Sequence, residues 1–390
     1  MTTPMKRVSS QKILKKEVLE GGLCTGCGAC VALCPYQVIY HDRTVQLHNC
    51  DLENGKCYDF CPRTSTNLQE LRDLLFAAGD LTPEIGAVKG YYFSRATDSQ
   101  LREDAQHGGT VTALMELALH EGLIDSAVIS AHDEEFGQNG VVVKDKEALR
   151  KNAGSKFTVS PTVAAFHRLA AAKESGNIGV VATPCQALAL AKMKLKAVQE
   201  DRAKIDQLKL VIGLYCGWTL ATEKFNELMG QNDIDVESIY GMDIPAGKNS
   251  LEIYAGNLTK SLPLSDAQEC IRGACNYCLD STAEYADISV GAARFGENWE
   301  EMRNWNQVIV RTGKGRDLIE LAIKRGVLEV KEAPAESLLQ LKNAASEKKR
   351  TALQNIIRKT RSAKNLLYLD CHDPVVRRFL AKETSNKKSR

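Results

Sequence analysis

Seven cysteines between positions 24 and 61 constrain this chain more than any other feature. The first four run Cys24-x2-Cys27-x2-Cys30-x3-Cys34-Pro35, and Cys50, Cys57 and Cys61-Pro62 follow. The first spacing holds a [4Fe–4S] cluster, for which a tight loop supplies three thiolates and a distant cysteine the fourth. Gly26 and Gly28 let the backbone curl around a cubane and aim N–H groups at its sulfides. Zinc knuckles and disulfides also use closely spaced cysteines, but four at this spacing, closed by proline, favour the cluster. When the fourth cysteine of each run serves the other cluster, Cys24, Cys27, Cys30 and Cys61 complete one site. The second then has Cys34, Cys50 and Cys57 and no further cysteine. Its fourth ligand is expected from Asp51, Glu53 or His48; otherwise the site holds a [3Fe–4S] cluster, or is degenerate and empty.

The 390 residues leave room for two or three domains with a sizeable core. No window reaches the roughly 18 consecutive apolar residues of a membrane span, and residues 1–20 are basic and polar without an apolar signal core. Thirteen cysteines, an odd number grouped at ligand spacings, suit a reducing cytoplasm rather than an oxidising compartment. Charge is unevenly spread: residues 336–390 carry 14 Lys and Arg against 5 Asp and Glu, in a chain of net charge +2. Such a tail either docks on an acidic partner or is a solvated helical extension. It has no nucleic-acid-binding motif beside it, so nucleic acid is not expected as a partner.

Along the chain, 38–40 and 45–47 flank a four-residue turn in a hairpin pattern. Residues 68–78 have helical periodicity, ended by the Gly79–Pro83 stretch. From about residue 85 the texture is α/β. Strands are expected at 91–93, 126–130, 140–143, 178–182 and 208–214, and helices at 111–120, 161–175, 187–196 and 219–229. This alternation predicts an α/β body, a mixed sheet covered by helices. The expected divisions are an iron–sulfur domain at 1–82, the body at 83–335 and a basic helical C-terminal extension at 336–390.

Cys185 and Cys216 each follow a predicted central strand, at the carboxyl edge where α/β sheets bind ligands. With Cys275-x2-Cys278 they form a preferred second-metal set: Cys185, Cys216, Cys275 and Cys278. Cys270 is the reserve for Cys216, and Cys371 is expected to be structural. Gly108, Gly109, Thr110 and Thr112 open a helix whose N-terminus suits a phosphate or pyrophosphate. Ser155, Lys156 and Thr158 add hydroxyls and a cation suited to a flavin's phosphates or ring. The G-x-G-x-x-G fingerprint is absent, which disfavours a Rossmann-type nicotinamide domain.

The stretches QHGGTVTALMELALHEGLIDSAV, AGSKFTVSP, ATPCQALAL, IGLYCG and CNYCLDSTAEYADISVG occur in that order. Together they resemble the coenzyme F420 hydrogenase/dehydrogenase beta-subunit family over about residues 90–330, and the N-terminal cysteines resemble its two-cluster ferredoxin-like module. The resemblance implies a flavoprotein body with FAD, a [4Fe–4S] cluster close to it, and hydride exchange with coenzyme F420. Relatives reduce other substrates from the same flavin site, chlorophyll derivatives among them. It also implies FAD contacts at Gly108, Gly109, Thr110, Thr112, Ser155, Lys156 and Thr158, with Thr183, Pro184 and Gln186 around Cys185. Asp280, Asp287 and Gly291 match the last motif, for which a structural role weighs as heavily as a functional one. Ala182 and Tyr215 depart from the family's usual Gly and Phe.

The expected function is an iron–sulfur flavoprotein oxidoreductase that converts two-electron hydride transfer into single-electron transfer, which a flavin can do. No side-chain acid or base is required, because the hydride passes between cofactors, so no catalytic residue is expected. Electrons would pass to a partner such as a hydrogenase, a formate dehydrogenase or a ferredoxin within a hetero-oligomer. The rivals are a ferredoxin- or nicotinamide-linked reductase of an organic substrate and a non-catalytic electron-wiring subunit.

Overall fold

The strand-length apolar runs at 178–182 and 208–214 alternate the faces they present. Val180 and Ala182 join Val211 on one face, while Leu210 and Ile212 turn to the other. The computed structural model describes residues 8–133, 137–172, 176–197, 199–245, 247–295 and 302–386. In chain order, a hairpin of β1 (Gln37–Tyr40) and β2 (Arg43–Gln46) precedes β3 (Gly90–Ala96), β4 (Ser126–Asp133) and β5 (Gly137–Val143). Then come β6 (Ile178–Ala182), β7 (Leu208–Leu214), β8 (Ile239–Asp243), β9 (Ser250–Ala255) and β10 (Leu258–Pro263). The last are β11 (Ile288–Ala292), β12 (Asn306–Val310) and β13 (Leu328–Glu332).

Eight of these strands form the central mixed sheet, in the order β13-β3-β12-β11-β7-β6-β4-β5. β4, β6, β7 and β11 are parallel, and β12 and β5 run against them. β3 is antiparallel to β12 and so shares the direction of the parallel set. Its carboxyl end therefore lies at the same sheet edge as those of β6 and β7. Three further strands, β8-β9-β10, make a separate antiparallel sheet around Leu251, Ile253 and Leu262. No strand was expected there, because its segments alternate too briefly to stand out from loop.

Among the helices are α1 (Ser10–Leu14), α2 (Leu68–Leu75), α3 (Thr110–His120), α4 (Thr162–Ala170) and α5 (Pro184–Lys196). The C-terminal part supplies α6 (Gly313–Lys324), α7 (Ala335–Thr360) and α8 (Pro374–Asn386). α3 and α6 cover one face of the sheet through Leu114, Met115, Leu318 and Ile319. α4 and α5 cover the other through Val163, Phe166, Leu190 and Met193. Cys27, Ala29 and Phe60 belong to that second cluster, so the N-terminal segment packs directly on the body.

Several boundaries differ from the expected ones, each for a local reason. α5 begins at Pro184 rather than 187, because Thr183 and Gln186 form a reciprocal capping box with proline at the first position. This places Cys185 in the first helical turn. α4 ends at Ala170, where the N–H groups of Ala171 and Ala172 turn back to His167 and Leu169; residues 173–175 lie outside the described ones. α2 stops at Leu75 because Phe76 is extended. The helix expected from 219 starts at Thr222, since Leu220 bridges Thr158 and Ile271. The hairpin turn has two residues, with His41 at a φ of 52°.

One buried cation ties the sheet to its surroundings. Arg311, fully buried, donates through Nε to Ser289 (2.7 Å), through one terminal nitrogen to the Ile85 and Ala87 carbonyls (2.6 and 2.8 Å) and through the other to Thr282. Arg311→Leu strips donors from three buried carbonyls, each costing about 1–3 kcal/mol if left unpaired. Urea unfolding is expected to show a loss of at least about 3 kcal/mol, whereas a packing role alone would predict near-neutral behaviour.

Candidate metal centres

The first cysteine group is built on a loop pressed against the body. Gly26 and Gly28 have φ of +65° and +84°. A Cβ at Gly26 would stand 2.3 Å from the Asp42 carbonyl oxygen, and one at Gly28 would stand 2.8 Å from the Ala164 nitrogen. Only glycine permits that approach. The loop is then held from α4: Val163 N–H donates to the Cys27 carbonyl (3.3 Å), and His167 Nε2 lies 3.1 Å from the Ala29 carbonyl. Around the sulfurs, Thr44 Oγ1 is 3.2 Å from Cys30 Sγ, and the Thr44 and Arg63 amides point at Cys24 (3.5 Å) and Cys61 (3.4 Å). Burial raises the thiol pKa of Cys61 to about 11. It raises Cys27 and Cys30 as well, each helped by the neighbouring thiols. Metal binding here would have to displace protons, as it does wherever thiols become ligands.

Cys34, Cys50 and Cys57 form the second group. Burial raises the Cys57 thiol, and Cys34 and Cys50 are close enough to add to the effect. Gln11 on α1 secures the segment, accepting from the Cys50 amide (2.8 Å) and donating to the His48 carbonyl (2.9 Å). The three side chains expected to complete this site, Asp51, Glu53 and His48, are all exposed. Gln37, which no motif marked, is buried beside Cys57.

The third group gathers residues from three places in the sequence. Cys185 lies in the first turn of α5, Cys216 follows β7, and Cys275 sits on a short 3-10 turn at Gly273–Tyr277 that Cys278 closes. Burial pushes the Cys216 thiol well up, and Cys275, Cys185 and Cys278 reinforce it in that order. Thr183 Oγ1 contacts Cys185 Sγ at 3.3 Å, and the Thr219 amide reaches Cys275 Sγ at 3.4 Å. Cys270 lies elsewhere, in the core of the small sheet, with its thiol 3.5 Å from the Lys224 and Asp266 carbonyls. Cys371 stands with Asp370 and His372 on the surface-facing C-terminal segment. Those last three offer the only set of metal-ligating atoms, among the described residues, that all lie within 4.8 Å of one another.

The first and third groups adjoin. Cys185 is among the neighbours that raise the Cys27 thiol, and both pack in the same core cluster. Arg63 lies between Cys61 and the third group. Its guanidinium donates to the Tyr277 (3.1 Å) and Ala274 (3.3 Å) carbonyls and to Tyr368, and stacks over that ring at 4.6 Å. Burial opposes its charge, yet Tyr368 and then Cys278, Cys185 and Cys275 keep its pKa above the ordinary value. A cavity of about 50 Å³ is lined there by Pro62, Arg63, Pro184, Cys185, Cys278 and Tyr285. Sequence reasoning missed Arg63; its position two residues after the last cysteine of a cluster motif is the only local signal.

At the carboxyl edge, the residues assigned to FAD divide into two kinds. Thr110 is fully buried, its hydroxyl paired with Ser94 (2.7 Å) and its amide with Asn306 (3.2 Å). Gly108 lies so close to Asn306, Ser94 and Asn304 that a Cβ would meet them within about 3 Å, and Gly109 adopts φ +72°. Gln186 spends its amide on the cap and on the Ser160 carbonyl (2.5 Å). These residues shape the edge. Lys156 differs: it is half-buried, desolvation lowers its pKa, and it has no hydrogen-bond or ion-pair partner among the described residues. An uncompensated, partly desolvated ammonium fits an anionic group such as a flavin's pyrophosphate. Ser155 is exposed, Thr183 and Pro184 follow the carboxyl end of β6, Thr112 lies in the first turn of α3, and Thr158 bridges Leu220. In the final motif, Asp280 caps Thr282 and Glu284, Asp287 accepts from Val211 and Thr312, and Gly291 makes room for Tyr215.

Three cysteine groups, one of them at the carboxyl edge of an α/β sheet, define an iron–sulfur protein of the electron-transfer class. Residues 91–167 and 175–336 match the N-terminal and C-terminal halves of the coenzyme F420 hydrogenase/dehydrogenase beta subunit, and residues 20–40 match a 4Fe-4S binding domain. The chain belongs to the coenzyme F420 hydrogenase/dehydrogenase beta-subunit family. It is 30% identical to the coenzyme F420 hydrogenase subunit beta of Methanothermobacter thermautotrophicus, over 70% of this chain and 95% of that protein. It is 29% identical to the beta subunit of the F420-dependent formate dehydrogenase of Methanocaldococcus jannaschii, over 65% of this chain and 64% of that protein. The coenzyme F420-dependent sulfite reductase of the same organism is 27% identical over 80% of this chain and 48% of its own length. In fold, the chain resembles a chain of the F420-reducing [NiFe] hydrogenase complex of Methanosarcina barkeri, with a TM-score of 0.62, 24% identity, and coverage of 71% of this chain and 95% of that one. No helix among the described residues is long and apolar enough to cross a membrane.

His167 links acid to the first cysteine group. Burial lowers its pKa from 6.5 to about 4, against the pull of its bond to Ala29. Its folded value lies below its unfolded one, so the stability it contributes is present above about pH 6.5 and is lost as pH falls toward 4. Allowing for its partial exposure, the loss is on the order of 2 kcal/mol. Thermal melts of wild type should therefore fall more steeply between pH 6.5 and 4 than those of His167→Gln.

Proposed function

We propose that this chain is the electron-transfer subunit of a hetero-oligomeric oxidoreductase, in which FAD at the carboxyl edge exchanges hydride with coenzyme F420 or a similar two-electron carrier. The adjacency of Cys27 and Cys185 carries this reading, because it makes one continuous route from the sheet edge through the third and first cysteine groups. In it, [4Fe–4S] clusters sit at Cys24/Cys27/Cys30/Cys61 and at Cys185/Cys216/Cys275/Cys278, and a third iron–sulfur site at Cys34/Cys50/Cys57. FAD, when bound, supplies the exchange between hydride and single electrons that neither F420 nor a cluster performs alone. Lys156 neutralises the dinucleotide's phosphates, Gly108 lets the backbone pass close to β12, and Gly109 turns it into α3. Thr183 orients Cys185 beneath the edge. Buried Arg63, between two cluster sites, favours their reduced and more negative states. The electrons then leave to a partner of the hydrogenase or formate dehydrogenase kind, or to a ferredoxin.

Anaerobic titration tests the reading directly. The flavin absorbance is expected to bleach with reduced F420 and not with NADH or NADPH, followed by reduction of the clusters. Clusters without any bound flavin would sink it in favour of an electron-wiring subunit. Bleaching by a nicotinamide alone would favour a reductase of another substrate.

Arg63→Gln should lower the midpoint potentials of the first and third clusters by about 40 mV, the one-electron equivalent of ~1 kcal/mol, with iron content unchanged. Arg63→Lys should restore most of that shift. Redox titration followed by EPR measures both.

A further inference from the structure

Gln37 is the feature that the proposed route does not explain. It opens β1, three residues after Cys34 and opposite Gln46 in the hairpin. Its side chain is 2% exposed. The side chain lies beside the Cys57 thiol, in the group formed with Cys34 and Cys50. Its Oε1 is buried with no hydrogen-bond partner.

The surroundings close the site on Gln37's side. Ser10 and Gln11, both buried, cover it from α1, and Ser10 Oγ accepts the Gly55 amide at 2.8 Å. A Cβ on Gly55 would stand 3.4 Å from Cys57 Sγ, so the backbone lies directly against that sulfur. His48, Asp51 and Glu53 remain exposed. His48 is turned edge-on to Tyr36, 5.9 Å between ring centroids. A buried carbonyl-type oxygen without a donor is costly unless a cation satisfies it, and three thiols beside it lack one ligand of a cubane.

We propose that Gln37 occupies the fourth-ligand position of the Cys34/Cys50/Cys57 site, its Oε1 binding the one iron of a [4Fe–4S] cluster that no thiolate reaches. This rests on the reading of the chain as a cluster protein. A neutral amide oxygen holds iron more weakly than a thiolate. The cluster is therefore asymmetric, and that single iron is labile. Its release is an oxidation: [4Fe–4S]2+ yields [3Fe–4S]+, one Fe2+ and one electron, which passes to an added oxidant. Return requires Fe2+ and one electron from a reductant. The site thus either carries electrons or, once oxidised, withdraws into the three-iron form.

The test uses the full chain, reconstituted anaerobically with iron and sulfide and oxidised with limiting ferricyanide. Wild type should hold about twelve irons, release about one, and develop the EPR signal of an oxidised [3Fe–4S] cluster. Gln37→Cys should abolish that release, and Gln37→Leu should already hold about eleven irons, its site in the reduced [3Fe–4S]0 form, before any oxidant is added, and develop the three-iron signal on oxidation without releasing further iron. Gln37→Glu, close in shape and still an oxygen ligand, should hold the iron at least as well as wild type. Should Gln37→Leu damage the fold, the Cys and Glu variants still decide the matter. Release unchanged in Gln37→Cys, or loss of the iron in Asp51→Asn, Glu53→Gln or His48→Asn instead, would overturn the assignment. About eight irons in wild type, with no three-iron signal, overturns it as well by showing the site vacant. Absence of iron altogether would instead count against the cluster reading, so the two failures are distinguishable.

Discussion

The close apposition of the Cys24–Cys30 loop and helix α4 is the contact on which the rest of the structure depends. Gly26 and Gly28 bring backbone against backbone, where any side chain would collide with Asp42 or Ala164. Val163 and His167 then fasten the loop from the helix side. Because α4 also packs Phe166 into the core beneath the sheet, the N-terminal cysteines lie on the same hydrophobic mass that carries Cys185. An electron-transfer protein needs its centres held at short, constant separations, and dense packing provides that more rigidly than a linker.

The C-terminal helices complete the enclosure. Their basic composition allowed either a docking tail or a solvated extension, yet two of the segment's charges, Lys349 and Asp373, turn inward. Lys349 pairs with Glu284, Asp373 pairs with Arg72, and Tyr368 receives Arg63, all in buried surroundings. Lys192 on α5, almost fully buried, donates to the Cys61 carbonyl at 2.6 Å and to Thr64 Oγ1 at 2.8 Å. Burial draws its pKa down to about 8. Buried cations are expensive in a low-dielectric interior unless anionic or strongly polar groups face them. Here they cluster where thiolates and sulfides would put negative charge, so Arg63 and Lys192 complement a loaded core better than an empty one.

Much of this was legible in the residues. The strands at 178–182 and 208–214 match their expected ranges, since long β-rich apolar runs leave little choice of period. The cysteine spacings and the ordered motifs led to the family to which the chain belongs. Other features were hidden for physical reasons. The β8–β10 sheet rests on short strands whose partners are set by packing, and α4 ends early because of its own closing turn. Nothing at the level of sequence distinguishes Gln37 from any polar residue at the start of a strand.

The sequence by itself determined the chemistry on offer: thiols at cluster spacing, glycines where the loop must bend, and a chain that alternates into an α/β body. Those signals are local, carried by covalent spacing and periodicity. Tertiary structure alone decided which distant groups meet. It put Cys216 rather than Cys270 beside Cys275 and Cys278, set Cys185 next to Cys27, placed Arg63 between two cysteine groups, and left the Gln37 oxygen buried without a donor. Convergence and desolvation arise only when segments far apart in the chain pack together, and no spacing within one segment encodes them.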